Sequence, residues 1–413
     1  MITELVLIAG IGGAYKFLKA TGYKHKKDFR ELVEKAGLYN KQEQTLKVHK
    51  VQQLEYGYKL TAGVPYGIGY EDIKGLEDTF KTNLGATEVQ FERDKGSSMI
   101  DITVITKPLK DLKYEPMDTK PYEIYVGYNH QDRIKVDLNS FPHLLIGGES
   151  GSGKSRLLLL ILTNLINRHE DIDIYLIQIR KSDISVFKEC KQVKYYARSL
   201  QDTRDLLRHI NNICIDREQL IDKLILEGIY NIADYNKRFK RSQLNYIYMV
   251  LDEFSFFNPN GADDKEVKAI KAEILGHIKN LVMVGRSLGI FIFTSLQKPS
   301  QSSIPSDIKS QLTTRISFKQ LDSSTSILIL GNGRATELEK REAIVRTIQE
   351  DKIRVPYIDH EIIMQHIKDS IEPQHEYVTL NTENRSLKAD EIVNSESEVI
   401  DIEVLKNVDY EGY

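Results

Sequence analysis

An α/β fold, with a mostly parallel sheet covered by helices on both faces, follows from three stretches of the chain. "HLLIGGESGSGKSRLLLLIL", starting at His143, is a short apolar run, a glycine-rich turn and a leucine-rich segment. "NYIYMVLDEF" and "GIFIFTSLQKPS" are apolar runs that end in polar residues, with helix-length segments between them. Apolar runs without alternation are expected of strands buried on both faces, and such strands belong to parallel sheets joined by helical crossovers.

The 413 residues are enough for two or three domains, and 41% hydrophobic with 28% charged residues is the composition of a soluble globular protein. A net charge of −3 averages unlike regions and selects no partner class. Cys190 and Cys214 make neither a disulfide framework nor a metal-binding spacing, so a reducing, cytoplasmic setting is expected.

Four regions follow from patterning. Residues 1–40 begin with "LVLIAGIGGAY" (Leu5 to Tyr15), which is shorter than the roughly 20 residues a spanning helix needs. Lys16, Lys19, Lys24, Lys26, Lys27 and Arg30 come next. That order fits an N-terminal helix packed on the protein, or peripheral contact with a membrane from the cytoplasmic side. Residues 41–135 contain alternating stretches such as "MIDITVITK" and "YEIYVGYN" and read as a small mixed α/β domain. Residues 136–371 hold the buried strands. Residues 372–413 carry eleven acidic residues against Arg385, Lys388 and Lys406, and read as a disordered acidic tail that could recruit a partner.

The stretch Gly148-Glu149-Ser150-Gly151-Ser152-Gly153-Lys154-Ser155 fits G-x-x-x-x-G-K-[ST]. Glycines let the backbone turn so that its N–H groups point inward and cradle anionic oxygens. The following helix adds its positive dipole end. Lys154 is expected to reach the β- and γ-phosphates of ATP, and the Ser155 hydroxyl to ligate Mg²⁺. A strand before the loop and an apolar helix after it are the context this chemistry needs.

The strand "YIYMVL" runs into Asp252-Glu253. Two adjacent acids at the end of a buried strand need a cation or donors to offset their desolvation. Asp252 is expected to face Mg²⁺, through water, and Glu253 to polarise the attacking water. Gln297 ends the strand "GIFIFTSL" and could touch the terminal phosphate, because ligands of open α/β sheets lie at the carboxyl ends of strands. "TTRISFK" and "EAIVRTI" read as further strands of the same sheet.

With these landmarks placed, roughly residues 50 to 370 resemble the FtsK/SpoIIIE family of DNA translocases, including compact coupling ATPases of conjugative or other mobile elements. The likeness lies in "DLNSFPHLLIGGESGSGKS", "RKSDISVFKEC", "LLRHINNICIDREQLIDKLILEGIYNIADYNKRF", "GRSLGIFIFTSLQKPS" and "TTRISFKQLDSSTSILILG". The second strand departs from it with Gln178 in "YLIQIRK", where the family typically has an acid. The resemblance implies a RecA-like motor that hydrolyses ATP and moves double-stranded DNA as a ring, usually a hexamer. ATP would then sit at subunit interfaces, where a neighbour's arginine reaches the γ-phosphate. Arg217 in "NNICIDREQL" is the first candidate, with Arg286 and Arg315 as alternatives. It also implies a role in DNA transfer, with a relaxase or transfer-machinery partner for the tail.

A walking motor must hold phosphates rather than bases. "NKRFKRSQ" places Lys237, Arg238, Lys240 and Arg241 around Phe239 as a candidate DNA contact. Two other readings stay open at this stage: a secretion-type ATPase that moves protein, and a binding module that keeps ATP as a structural ligand.

Overall fold

The computed structural model describes residues 24–93, 96–180, 183–297, 299–300, 303–372 and 375–380. The apolar segment Leu5 to Tyr15 and the acidic tail from residue 381 lie outside the described residues. Among the described residues, no helix is long and apolar enough to cross a membrane. The chain divides into two compact units, Met1–Lys110 and Asp111–Tyr413.

In the first unit β1 (Lys47–Leu54), β2 (Gly57–Gly63), β3 (Glu88–Arg93) and β4 (Met99–Ile105) form an antiparallel sheet in the order β1-β2-β4-β3. Helices α1 (Tyr70–Lys74) and α2 (Glu77–Leu84) connect β2 to β3. Leu60, Ile102 and Val104 on the strands close with Phe80, Ile73 and Phe29 into a core of their own. This is the small mixed α/β domain, but it ends at Lys110 and not at 135. "YEIYVGYN" alternates along the sequence like β4, and alternation cannot say which sheet a strand will join.

The second unit holds ten strands: β5 (Glu123–Tyr128), β6 (Arg133–Asp137), β7 (Leu144–Gly147), β8 (Ile172–Ile177), β9 (Val193–Ala197), β10 (Tyr246–Leu251), β11 (Ile290–Leu296), β12 (Thr314–Phe318), β13 (Glu342–Arg346) and β14 (Glu350–Arg354). They are ordered β6-β5-β14-β13-β12-β7-β11-β10-β8-β9. Pairing is parallel from β12 through β9 and antiparallel from β12 to β6. β13, read from the sequence as a further strand of this sheet, pairs antiparallel with β12 and forms a hairpin with β14 across residues 347–349.

Every residue of β7, β10 and β11 is buried, so both faces of the parallel part are covered. The helices are α3 (Lys154–Arg168), α4 (Leu200–Leu224), α5 (Ile232–Arg238), α6 (Lys265–Val284), α7 (Ser306–Gln311), α8 (Ser323–Leu330) and α9 (His360–Ile367). α3 packs with α9 and β5, and α4 packs with α6. Leu157 to Leu162 of α3 are all buried, each contributing roughly 1.5–3 kcal/mol of transfer free energy. Ser199 caps α4 through Asp202 N and Asp264 caps α6 through Val267 N, which sets where each crossover helix begins.

His143 locks β7 into the sheet. It is fully buried with a left-handed backbone (φ 61°), its Nδ1 accepts from Ile292 N (3.1 Å), and its Nε2 faces Val282 O at 3.1 Å. This pattern requires the neutral ring, and burial lowers the imidazole to about 4. The unfolded chain therefore binds a proton below about 6.5 that the folded chain refuses until about 4. Stability should fall as pH drops through that window, by at most about 3 kcal/mol. Denaturant midpoints at pH 7 and 4.5 should show the drop, and His143→Asn should reduce it, because Asn tolerates the backbone and does not titrate. A variant profile parallel to wild type would exclude His143 as the source.

Candidate functional site: a nucleotide cavity at the carboxyl edge of the sheet

The turn from Gly147 into α3 wraps tightly because three glycines take conformations other residues avoid: Gly148 (φ 151°), Gly151 (φ 77°) and Gly153 (φ 129°). A Cβ on Gly148 would lie 2.7 Å from Phe318 Cβ, and one on Gly153 would lie 2.7 Å from Phe318 Cε1. The loop thus lies flat against the end of β12. Ser152 Oγ donates to Glu149 O (2.8 Å), Glu149 N donates to Lys319 O (3.2 Å), and Arg341 N donates to Ser152 O (3.1 Å). Lys154 Nζ reaches back across the loop to Gly148 O (2.6 Å) and Glu149 O (2.7 Å). Burial lowers its pKa, while Glu253, Asp252 and Glu149 oppose the shift.

β11 lies between the loop strand β7 and the acidic strand β10. Their carboxyl ends open on one cavity of about 800 Å³, lined by Lys154, Ser155, Asp252, Glu253 and Gln297 among others. The structure therefore brings the loop, the acidic pair and the glutamine together. Glu253 is buried, with Oε1 accepting from Ser255 Oγ (2.8 Å) and Oε2 from Gln297 N (3.1 Å). Burial raises its pKa from the ordinary carboxylate value, against the pull of those hydrogen bonds and Lys154. The Gln297 side chain is exposed to the cavity. Asp252 is half-buried, and its carbonyl accepts from Ser295 Oγ.

Ser155 and Asp252 offer hard oxygens to the same cavity, which suits Mg²⁺ completed by phosphate and water. Among the described residues no cluster of three ligating side chains exists, so a metal there would need those extra ligands.

Arg217 must be corrected. It is almost fully buried, donating through Nη1 to Leu288 O (2.7 Å) and Nη2 to Asn245 O (2.7 Å). These carbonyls precede β11 and β10, at the edge opposite the cavity, so Arg217 clamps the strand starts and cannot reach a neighbour's phosphate. A sequence cannot distinguish this role, because an arginine on a helix faces outward or inward according to packing. Arg315 is half-buried and bonded to the carbonyls of Leu312 and Lys309. Arg286 is exposed and donates to Asn139 O (2.8 Å), also near the amino edge.

Lys237, Arg238, Lys240 and Arg241 are all exposed, with no ion pair among the described residues. Asn236 pins their turn by donating to Leu244 O (2.8 Å) and accepting from Leu244 N (2.8 Å), and Phe239 packs on Tyr235 at 4.7 Å. The turn leads into Tyr246, the first residue of β10, so it too lies at the amino edge, about 20 Å from the cavity along the strand. Sequence reasoning missed Arg180, which lines the cavity just beyond β8. Its signal was position alone, three residues past an apolar strand.

Fold and site together define a P-loop nucleotide-binding domain. The FtsK/SpoIIIE family model matches residues 110–355, and the chain belongs to that family. It is 24% identical over 312 residues to the DNA translocase FtsK of Oceanobacillus iheyensis and 24% over 313 residues to the DNA translocase SpoIIIE of Bacillus subtilis, covering 70% of this chain in each case. It spans only 38% of the length of those relatives. Its fold is similar to the pCW3 conjugation coupling protein TcpA, monomer form with ATPγS (TM-score 0.58, 23% identity, 84% of this chain and 99% of that chain). It is also similar to the cytoplasmic domain of the type VII secretion ATPase EccC of Thermomonospora curvata (TM-score 0.51, 18% identity, 67% of this chain and 34% of that chain).

Two outcomes follow from this geometry. Lys154→Ala should weaken ATP binding, whereas Glu253→Gln should keep binding and stop turnover, because an amide cannot polarise water. Near-normal ATPase in Glu253→Gln would refute that assignment. Arg217→Met should lower stability by about 1–3 kcal/mol or more, by leaving two buried carbonyls without donors, while nucleotide affinity per folded molecule stays unchanged. Calorimetric unfolding with parallel nucleotide titration separates the two effects.

Proposed function

We propose that this protein is an ATP-hydrolysing motor that moves double-stranded DNA as an oligomeric ring, in DNA transfer by a conjugative or mobile element. The observation that carries the reading is the division of one sheet into two working edges: the acidic pair and phosphate loop at the carboxyl edge, and at the amino edge a pinned basic turn with no ion pair among the described residues. The names of the FtsK and SpoIIIE relatives and the likeness in fold to a conjugation coupling protein support it.

In this reading the loop N–H groups and Lys154 hold the triphosphate. Mg²⁺, held by Ser155 and, through water, Asp252, would supply charge neutralisation at the phosphates. Glu253 takes up the proton of the attacking water, and its two hydrogen bonds aim the carboxylate. Its raised pKa brings it closer to neutral, where a general base is most effective. Gln297, whose N–H already bonds Glu253, stands where the terminal phosphate would lie. A hexamer, a cytoplasmic place with peripheral membrane contact through residues 1–40, and a relaxase or transfer-machinery partner for the tail belong to the same proposal.

The rival, a motor that moves protein, has one observation on its side. Leu226 (98% exposed), Tyr230 and Met283 stand bare at the amino edge, the last two lining a cleft of about 440 Å³. One assay decides between them. Duplex DNA of any sequence should stimulate ATPase, and its binding should weaken linearly with log salt. Neutralising Lys237, Arg238, Lys240 and Arg241 together should flatten that slope and leave DNA-free hydrolysis intact. Stimulation that survives the four-fold change would place the grip elsewhere, and no DNA effect in an active, assembled protein would leave the protein-moving motor standing.

A further inference from the structure

Arg217 is buried, and Arg286 and Arg315 are bonded away from this subunit's own cavity, where the sequence reading expected an arginine supplied by a neighbour. The cavity has an arginine of its own. Arg180 follows β8 by three residues, is exposed, and places its guanidinium carbon 4.8 Å from the centre of the Phe256 ring. Phe256 belongs to the turn Phe254–Phe257 directly after Glu253, and its neighbours Phe254 and Phe257 are fully buried. The ring is therefore presented on an anchored support, and stacking holds the guanidinium plane while leaving its edge N–H donors free. Among the described residues, no hydrogen bond or ion pair occupies those donors, although Asp183 lines the same cavity.

The geometry points to Arg180 as a γ-phosphate-binding residue supplied by the same subunit, an inference that rests on the nucleotide reading proposed above. The strand order supports this role. β8 is separated from the loop strand β7 by β11 and β10, about 14 Å at ordinary strand spacing. The loop and Lys154 grip the triphosphate from the β7 side, so a cation on the β8 side meets only its distal end. Charge supports it as well. Asp183, Asp252 and Glu253 on the cavity wall outnumber Lys154, and a triphosphate adds further negative charge. A second cation near the terminal phosphate offsets part of that repulsion, and a guanidinium can bind phosphate oxygens bidentately where an ammonium cannot.

The role predicts discrimination between nucleotides, which a merely structural arginine would not provide. In full-length protein, Arg180→Ala should weaken ATPγS binding about tenfold or more, the scale of a lost charged hydrogen bond, and leave ADP within about twofold. Turnover should fall with it. Arg180→Lys should recover part of the ATPγS affinity, and Phe256→Leu should show a smaller loss of the same sign. Titration calorimetry with ADP and ATPγS reads all four proteins. Equal weakening of both nucleotides, or no change in either, would overturn the inference while the nucleotide site stands. Wild-type protein that binds neither, matching Lys154→Ala, would remove the nucleotide reading itself and this inference with it.

Discussion

The site depends on one pairing choice, the insertion of β11 between β7 and β10. Adjacent strands lie about 4.8 Å apart, so the phosphate loop and the acidic pair are held nearly 10 Å apart. That gap is wide enough for a terminal phosphate with a metal ion and water beside it. It is also narrow enough for Lys154 and the two carboxylates to act on one another through the cavity. If β10 paired directly with β7, the ammonium and Glu253 could close into an ion pair. The inserted strand brings Gln297 to the middle of the gap, and its backbone N–H fixes Glu253 there. His143 protects this arrangement from below, since its bond to Ile292 N ties the start of β7 to β11.

Burial sets the charges on either side of the gap. Desolvation pushes Lys154 down and Glu253 up, so each group is less firmly charged than in water. Their mutual attraction, together with the hydrogen bonds from Ser255 and Gln297 N, offsets part of that cost. For the general base proposed above, a poised carboxylate is more useful than a stable one. A carboxylate in a tight salt bridge would be a poor proton acceptor, and a fully exposed one would have a pKa too low for the task.

What was legible in the sequence was the chemistry that local backbone dictates. The glycines of 148, 151 and 153 supply a turn whose positive φ values other residues avoid, and those of 148 and 153 also lie too close to Phe318 for a Cβ, so their spacing announces the loop. β7, β10 and β11 declared themselves because both of their faces are buried. The antiparallel extension was not legible. β5 and β6 alternate like the strands of the small domain, and β13 and β14 form a hairpin whose membership of the large sheet is a tertiary fact. Arginines were the least legible of all. Arg217, Arg286, Arg315 and Arg180 look alike along the chain, and only packing separates a buried clamp from a residue facing the cavity.

Those arginines bear on how one edge of the sheet could affect the other. β10 carries Asp252 and Glu253 at one end and follows the basic turn at the other, so it spans both regions in six residues. Arg217 joins the carbonyls of Asn245 and Leu288, which ties the starts of β10 and β11 together. At their other ends the same two strands are joined by Glu253 and the Gln297 N–H. The pair is thus braced at both edges, and its members resist sliding past each other. A change in contacts around Gln297 would therefore not be absorbed locally as shear between β10 and β11. In the proposed motor it would pass to the pair as a unit, whose amino edge sits beside the turn of Lys237 to Arg241. On this argument Arg217, although it cannot touch a neighbour's nucleotide, contributes as a brace that keeps the two edges mechanically joined.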